Sequence, residues 1–264
     1  MSVRYRQLLA VFTLITCLFL AISDAEAFVK EDTVFLPTRP GVTLPFVVSF
    51  NEDSPTEAVA ILFAGSAGNI GIVKDQPVTN GNFLVRSRNF FVQNHLATVV
   101  VDSPSDNKGG MSTTFRTGKD HATDIGMVID EMSKKFPGIP VFLIGTSKGS
   151  ISAAYLADKL EGKIKGVVLT SSVYSEIPIP PKKLSVPVLL VHNTDDGCLS
   201  SPCSSAVMTS KMYGYPLILV HGGSSAMGRA ACEPFSPHGY LNKEEATIEA
   251  IANWLLEKPY KSNI

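Results

Sequence analysis

Pro140-Val141-Phe142-Leu143-Ile144-Gly145-Thr146-Ser147-Lys148-Gly149-Ser150 is the stretch on which the fold turns. Its first half is a short apolar run rich in strand formers, and Ile151–Leu160, just beyond it, is rich in Ala and Leu, which reads as strand, sharp turn, helix. The turn is Gly-x-Ser-x-Gly, and in that context it forces the serine into a strained backbone conformation. Gly145 and Gly149 permit the turn because a side chain at either would strike the neighbouring strand or helix. Ser147 is thereby held out at the carboxyl edge of a sheet. The following helix aims its amino terminus at the same spot, so the Lys148 backbone N–H and the helix dipole can stabilise a negative oxygen there.

Working outward, similar short β-rich runs lie at Thr33–Leu36, Leu44–Phe50, Val59–Phe63, Ala97–Val101, Gly166–Thr170, Val188–Val191 and Leu217–Val220. Most are continuously apolar, as strands covered on both faces are. Between them, Phe83, Leu84, Phe90 and Phe91 share one helical face, and Ile125, Val128, Ile129 and Met132 recur at i, i+3, i+4 and i+7. The last helix is expected to open on Asn242 as its cap, with Glu245 three residues later. Two leading strands followed by β-α alternation predict an α/β fold: a mostly parallel eight-stranded sheet with an antiparallel edge and helices on both faces. No repeat or composition break divides residues 28–264, so one domain is expected.

A serine hydroxyl needs a histidine to take its proton and a carboxylate to orient that histidine. The seventh strand runs into His192-Asn193-Thr194-Asp195-Asp196-Gly197-Cys198. Asp196 is the preferred acid and Asp195 the alternative, the loser capping its own loop. Of the histidines that follow the last strand, His238 in Ser236-Pro237-His238-Gly239-Tyr240 sits on a loop long enough to return over the sheet edge, whereas His221 is expected to make a loop hydrogen bond. His95, His121 and His192 read as structural. Arg86 and Arg116 either grip an anionic substrate group or form structural ion pairs. Asp102, ending the fourth strand, is either a loop cap or a pocket acid, and the cap is preferred.

The order Ser147, Asp196, His238 resembles that of the α/β-hydrolase fold family, and the resemblance covers nearly the whole chain after residue 27. Asp-Gly-Cys after the seventh strand and Cys-x-x-x-x-x-His-Gly before the last helix look like a group of exported bacterial hydrolases of dienelactone-hydrolase-like size, though Ser147 stands where dienelactone hydrolases use cysteine. The resemblance places the second half of an oxyanion hole in Phe63-Ala64-Gly65-Ser66-Ala67-Gly68, with Ser66 or Ala67 donating beside Lys148. Cys198 and Cys232 flank the acid and the base, so a disulfide between them would tie the two loops together. Cys203 is the competing partner.

The N-terminus reads as an export signal over residues 1–27: Arg4 and Arg6, an apolar run from Leu8 to Ile22, then Ala25-Glu26-Ala27 before Phe28. That run is shorter than the roughly 20 residues that span a bilayer, so no stable membrane anchor is expected after cleavage. A secreted or periplasmic location suits one disulfide and one unpaired thiol, and the absence of any Asn-x-Ser/Thr sequon suits a bacterial source. Over 264 residues, Lys and Arg total 23 against 24 Asp and Glu, a net charge of −1 that gives no basic field for nucleic acid. No Cys-x-x-Cys pair or His cluster suggests zinc, and no cofactor is expected. Residues 171–186 between the sixth and seventh strands carry no apolar helical pattern, so no large lid is expected. Together with the resemblance, this implies an exported serine hydrolase acting on a small or exposed ester. The alternatives are an exopeptidase or amidase using the same three residues, or a non-catalytic binding protein on the same scaffold.

Overall fold

Each of the eight short β-rich runs becomes a strand of one sheet: β1 (Val29–Arg39), β2 (Val42–Asn51), β3 (Ala58–Phe63), β4 (Leu96–Val101), β5 (Val141–Thr146), β6 (Gly166–Thr170), β7 (Val188–Asn193) and β8 (Leu217–Val220). The computed structural model describes residues 29–178 and 184–264; the export signal expected over residues 1–27 lies outside them. The strand order is β1-β2-β4-β3-β5-β6-β7-β8. β2 runs antiparallel to both β1 and β4, and all later pairings are parallel.

Strand alternation divides the core into two layers. Val59, Ile61 and Phe63 of β3 join the cluster that holds α4 (Lys119–Lys135) and α5 (Gly149–Lys159). Ala58, Ala60 and Leu62 face the opposite cluster, built from α1 (Phe83–Arg86), α2 (Arg88–Gln93) and α7 (Glu244–Leu255). Helices thus cover both faces, which is why β3, β4, β5 and β7 are buried along their whole length. A short α3 (Thr113–Arg116) precedes α4. Among the described residues no helix is long and apolar enough to cross a membrane. The described part of the segment after β6 holds only a single-turn helix at Tyr174–Glu176, with no helical lid.

Two local expectations fail, and one helix carries no signal in the sequence. The aromatic face at 83–91 is two helices, broken at Ser87, whose ψ of 4° leaves the helical range. α6 (Cys203–Tyr213) was not visible as a periodic pattern because only Ala206 on it is buried. Asn242 does not cap α7. Its φ is +64°, its amide donates to Ser224 Oγ at 2.6 Å, and the helix starts after Lys243 instead.

Candidate active site

The carboxyl ends of β3, β5 and β7 converge on one edge. Ser147 follows β5 directly with φ +51°, a left-handed conformation that costs a non-glycine residue energy. It is held there by its own N–H, which donates to Thr170 O at 3.0 Å, and by close backbone packing. A Cβ on Gly145 would stand 2.4 Å from Gly149 O, and one on Gly149 would stand 2.1 Å from Phe63 O. Neither atom can retreat without moving the sheet.

Asp196 and His238 come from distant loops and meet. Asp196 Oδ2 accepts from His238 Nδ1 at 2.8 Å, and both side chains are buried. Asp195 does not take part. Its carboxylate accepts the Gly222 N–H at 3.0 Å, the loop-capping role expected of the unused acid. Burial alone would raise the Asp196 carboxyl, but the imidazoles of His192 and His238 and the Cys198 N–H together outweigh it and hold the group at about 2. It is therefore a carboxylate at neutral pH, suited to orienting an imidazole and balancing its charge.

The loop carrying His238 is strapped at several points. Ser171 Oγ donates to His238 O at 2.8 Å, and Tyr240 Oη donates to Val191 O at 3.0 Å while accepting Ser171 N–H at 3.1 Å. Arg86 donates to Gly239 O at 2.6 Å and to Gly81 O at 2.7 Å, and pairs with Glu244; of the two roles open to it, the structural ion pair is the one formed. Cys198 and Cys232 form a disulfide between the loops carrying Asp196 and His238, leaving Cys203 free. Asp196, Cys198 and His238 bring ligand-type atoms within 4.8 Å of one another, but the sulfur is committed to the disulfide and offers no thiolate to a metal.

The loop after β3 supplies the facing wall. Ser66 has φ +50° and Gly68 +76°. Among the described residues, the backbone N–H groups of Ser66, Ala67 and Lys148 have no acceptor. Gly65 must be glycine because a Cβ there would lie 2.9 Å from Ser147 Cβ. Asp102 is a cap, accepting the N–H groups of Ile70, Ile72 and Ser103, each at 2.7 Å, which pins the far end of this loop. A cavity of about 320 Å³ opens between these walls, lined by Gly65, Ser66, Asn82, Ser147, Phe235 and His238 among others. His238 Nε2 is buried and makes no hydrogen bond, to Ser147 Oγ or to any other described atom. Such contacts often tighten only when substrate binds.

The remaining histidines are placed as expected. His221 lies 3.1 Å from Thr194 Oγ1. His95 takes a left-handed φ of +64° in the turn after α2. His121 is buried in α4 against Phe63 and Phe115, and desolvation, with Arg116 and Arg39 nearby, lowers it to about 3. His192 is fully buried, with Nε2 3.3 Å from Asp196 Oδ2. Ser201 was not foreseen. It is buried, with Oγ 3.3 Å from Asp196 Oδ2 and 3.1 Å from His238 Nδ1, and nothing in Ser200-Ser201-Pro202 marks it. Arg116 is fully buried and so neither reaches substrate nor forms an ion pair among the described residues.

Sheet order, the serine turn and the loop placement define the class: the chain has the α/β-hydrolase fold. Residues 104–190 match the family model described as serine aminopeptidase, S33. No curated protein matches the chain. Among solved structures, Est1E from Butyrivibrio proteoclasticus with ferulic acid bound is similar with a TM-score of 0.61 at 17% identity, over 85% of this chain and 98% of that one. An α/β serine hydrolase without a lid from Xanthomonas campestris gives 0.60 at 13% identity, over 88% and 96%. A dienelactone hydrolase from Anabaena variabilis gives 0.57 at 14% identity, over 87% and 96%. At these identities the likenesses show the fold that the strand order already gives.

Proposed function

We propose that the chain is an exported serine hydrolase that cleaves small or exposed esters through an acyl-enzyme on Ser147. The observation that carries this reading is the His238 ring. Its Nδ1 is fixed on a buried carboxylate at 2.8 Å, while its Nε2 has no partner and belongs to a residue lining the cavity that Ser147 also lines. A ring tied at one nitrogen and free at the other is arranged to move a proton.

In the reaction, His238 Nε2 takes the Ser147 Oγ proton as Oγ attacks the ester carbonyl. The N–H of Lys148 and that of Ser66 or Ala67 receive the oxyanion, and Asp196 stabilises the imidazolium. His238 returns the proton to the leaving alcohol. Water, deprotonated by the same nitrogen, then releases the acid and regenerates Ser147. The disulfide supports an oxidising location, in keeping with the signal-like start of the chain.

A second reading, an aminopeptidase with the same residues, is favoured by the description of the matching family model. The described cavity lining argues against it: among the described residues, Arg229 and His238 are its titratable side chains and none is a carboxylate that would pair with a substrate ammonium. Steady-state hydrolysis of p-nitrophenyl acetate and butyrate beside aminoacyl p-nitroanilides tests the choice. Turnover of the esters at least a hundredfold faster in kcat/KM supports esterase; preference for the anilides supports the peptidase; turnover of neither, with no fluorophosphonate labelling, leaves a binding scaffold.

A further inference from the structure

Arg116, at the end of α3, is fully buried and has no ion-pair partner among the described residues. Burial lowers its pKa only to about 10, so it stays charged at neutral pH, with Glu176 acting on it through space. An uncompensated buried cation is costly, and folding alone does not require one where a methionine would fill the same space. Its position accounts for it. Nη2 donates to Ser66 O at 3.2 Å and Nη1 to Ser152 Oγ at 2.9 Å. A Cβ on Gly68 would lie 2.4 Å from Nη2 and 3.3 Å from Cζ, so the guanidinium rests against the backbone of the turn after β3.

A trans peptide points its C=O and N–H in opposite directions. With Ser66 O drawn back to Arg116, the Ala67 N–H is turned the other way. Ala67 O is drawn back too, accepting Met111 N–H at 2.7 Å, and Gly65 O accepts Gly68 N–H at 3.0 Å, which turns the Ser66 N–H outward. All three carbonyls of the turn are engaged behind it while the Ser66 and Ala67 amides have no acceptor.

We propose that Arg116 is a positioning residue for the oxyanion hole: its guanidinium holds the Ser66–Gly68 turn with its free amides toward the Ser147 cavity and sets a fixed positive charge behind them. The assignment rests on the acyl-transfer reading above. Fixed charges and dipoles in a dry site act most strongly on the oxygen that becomes negative in the transition state, so loss of Arg116 lowers kcat and leaves KM in place.

The test compares wild type with Arg116→Met and Arg116→Lys by melting temperature, ester kcat and KM, and inhibition by a small alkyl boronic acid, whose adduct on serine carries a tetrahedral anion. In Arg116→Met, kcat is expected to fall about 10- to 100-fold, a fraction of the roughly 10²- to 10³-fold cost of deleting a donor. KM stays within twofold, the boronate Ki rises in parallel with the loss of kcat, and the melting temperature is not lowered. Arg116→Lys recovers part of the loss. A folded Arg116→Met with kcat and boronate Ki within twofold of wild type overturns the assignment. If Arg116→Met does not fold, Arg116→Lys decides: a fivefold or larger fall in kcat with parallel loss of boronate affinity supports it, and unchanged values overturn it. A wild type that is inert to esters and to a fluorophosphonate overturns the acyl-transfer reading itself and this assignment with it. A wild type that is active and labelled leaves the Arg116 result to be judged alone.

Discussion

The serine turn and the base loop reach the same cavity by opposite means. Ser147 is positioned by its immediate neighbours: a buried strand before it, a helix after it, and glycines whose missing side chains let Phe63 O and Gly149 O approach. His238 sits in irregular chain, and its place depends on Ser171, Tyr240, Arg86 and a disulfide that closes 34 residues of sequence separation. A local device is stiff and fails all at once. A loop held by several distant ties loses its geometry in steps.

The largest expected effects fall on the groups proposed to react. Ser147→Ala or His238→Ala should lower kcat by about 10⁴-fold or more, with folding unchanged by circular dichroism. Asp196→Asn should cost about 10³- to 10⁴-fold in kcat, because the ring loses its tether and its preferred tautomer, whereas Asp195→Asn should stay within about threefold. Equal losses at the two acids would break the assignment of Asp196.

Stability separates the two regions next. Gly149→Ala drives a Cβ against the carbonyl of Phe63 and should destabilise by about 4 kcal/mol or more, or prevent folding outright. The paired Cys198→Ser and Cys232→Ser substitutions should cost about 3 to 4 kcal/mol in denaturant unfolding. Hydrogen exchange in that protein should quicken across residues 221–243 and not across 141–159. Uniform quickening would show that the two regions are not independently held.

The remaining expected effect is a pH dependence. His121 is lowered to about 3 in the folded chain, against an ordinary value near 6.5 when unfolded. Between these values the unfolded state binds the extra proton, so stability should fall by up to about 1.4 kcal/mol per unit as pH drops from 6.5 towards 3. His121→Phe should remove that slope, as measured by urea unfolding at several pH values. Asp196, held at about 2, contributes stability that is lost only lower, as pH falls through the window from about 4 to 2.

The same contrast explains what could be read from the residues alone. Val59–Phe63 and Val188–Val191 are apolar throughout because both faces are covered, and the glycines at 145 and 149 betray the turn by composition. α6 stayed hidden because it lies on the surface with Ala206 alone fully buried. Asn242 carried the chemistry of a helix cap and spends it on Ser224. Ser201 and Arg116 owe their roles to partners 37 and 50 residues away, Ser201 reaching His238 and Arg116 reaching Ser66, and no short pattern records such a pairing.

Mass spectrometry of the protein after reaction with a fluorophosphonate puts the central arrangement to the most direct trial. A single adduct on the peptide containing Ser147, absent in His238→Ala, is the predicted result. An adduct on another residue, none at all on the folded wild type, or undiminished labelling of Ser147 in His238→Ala would contradict it.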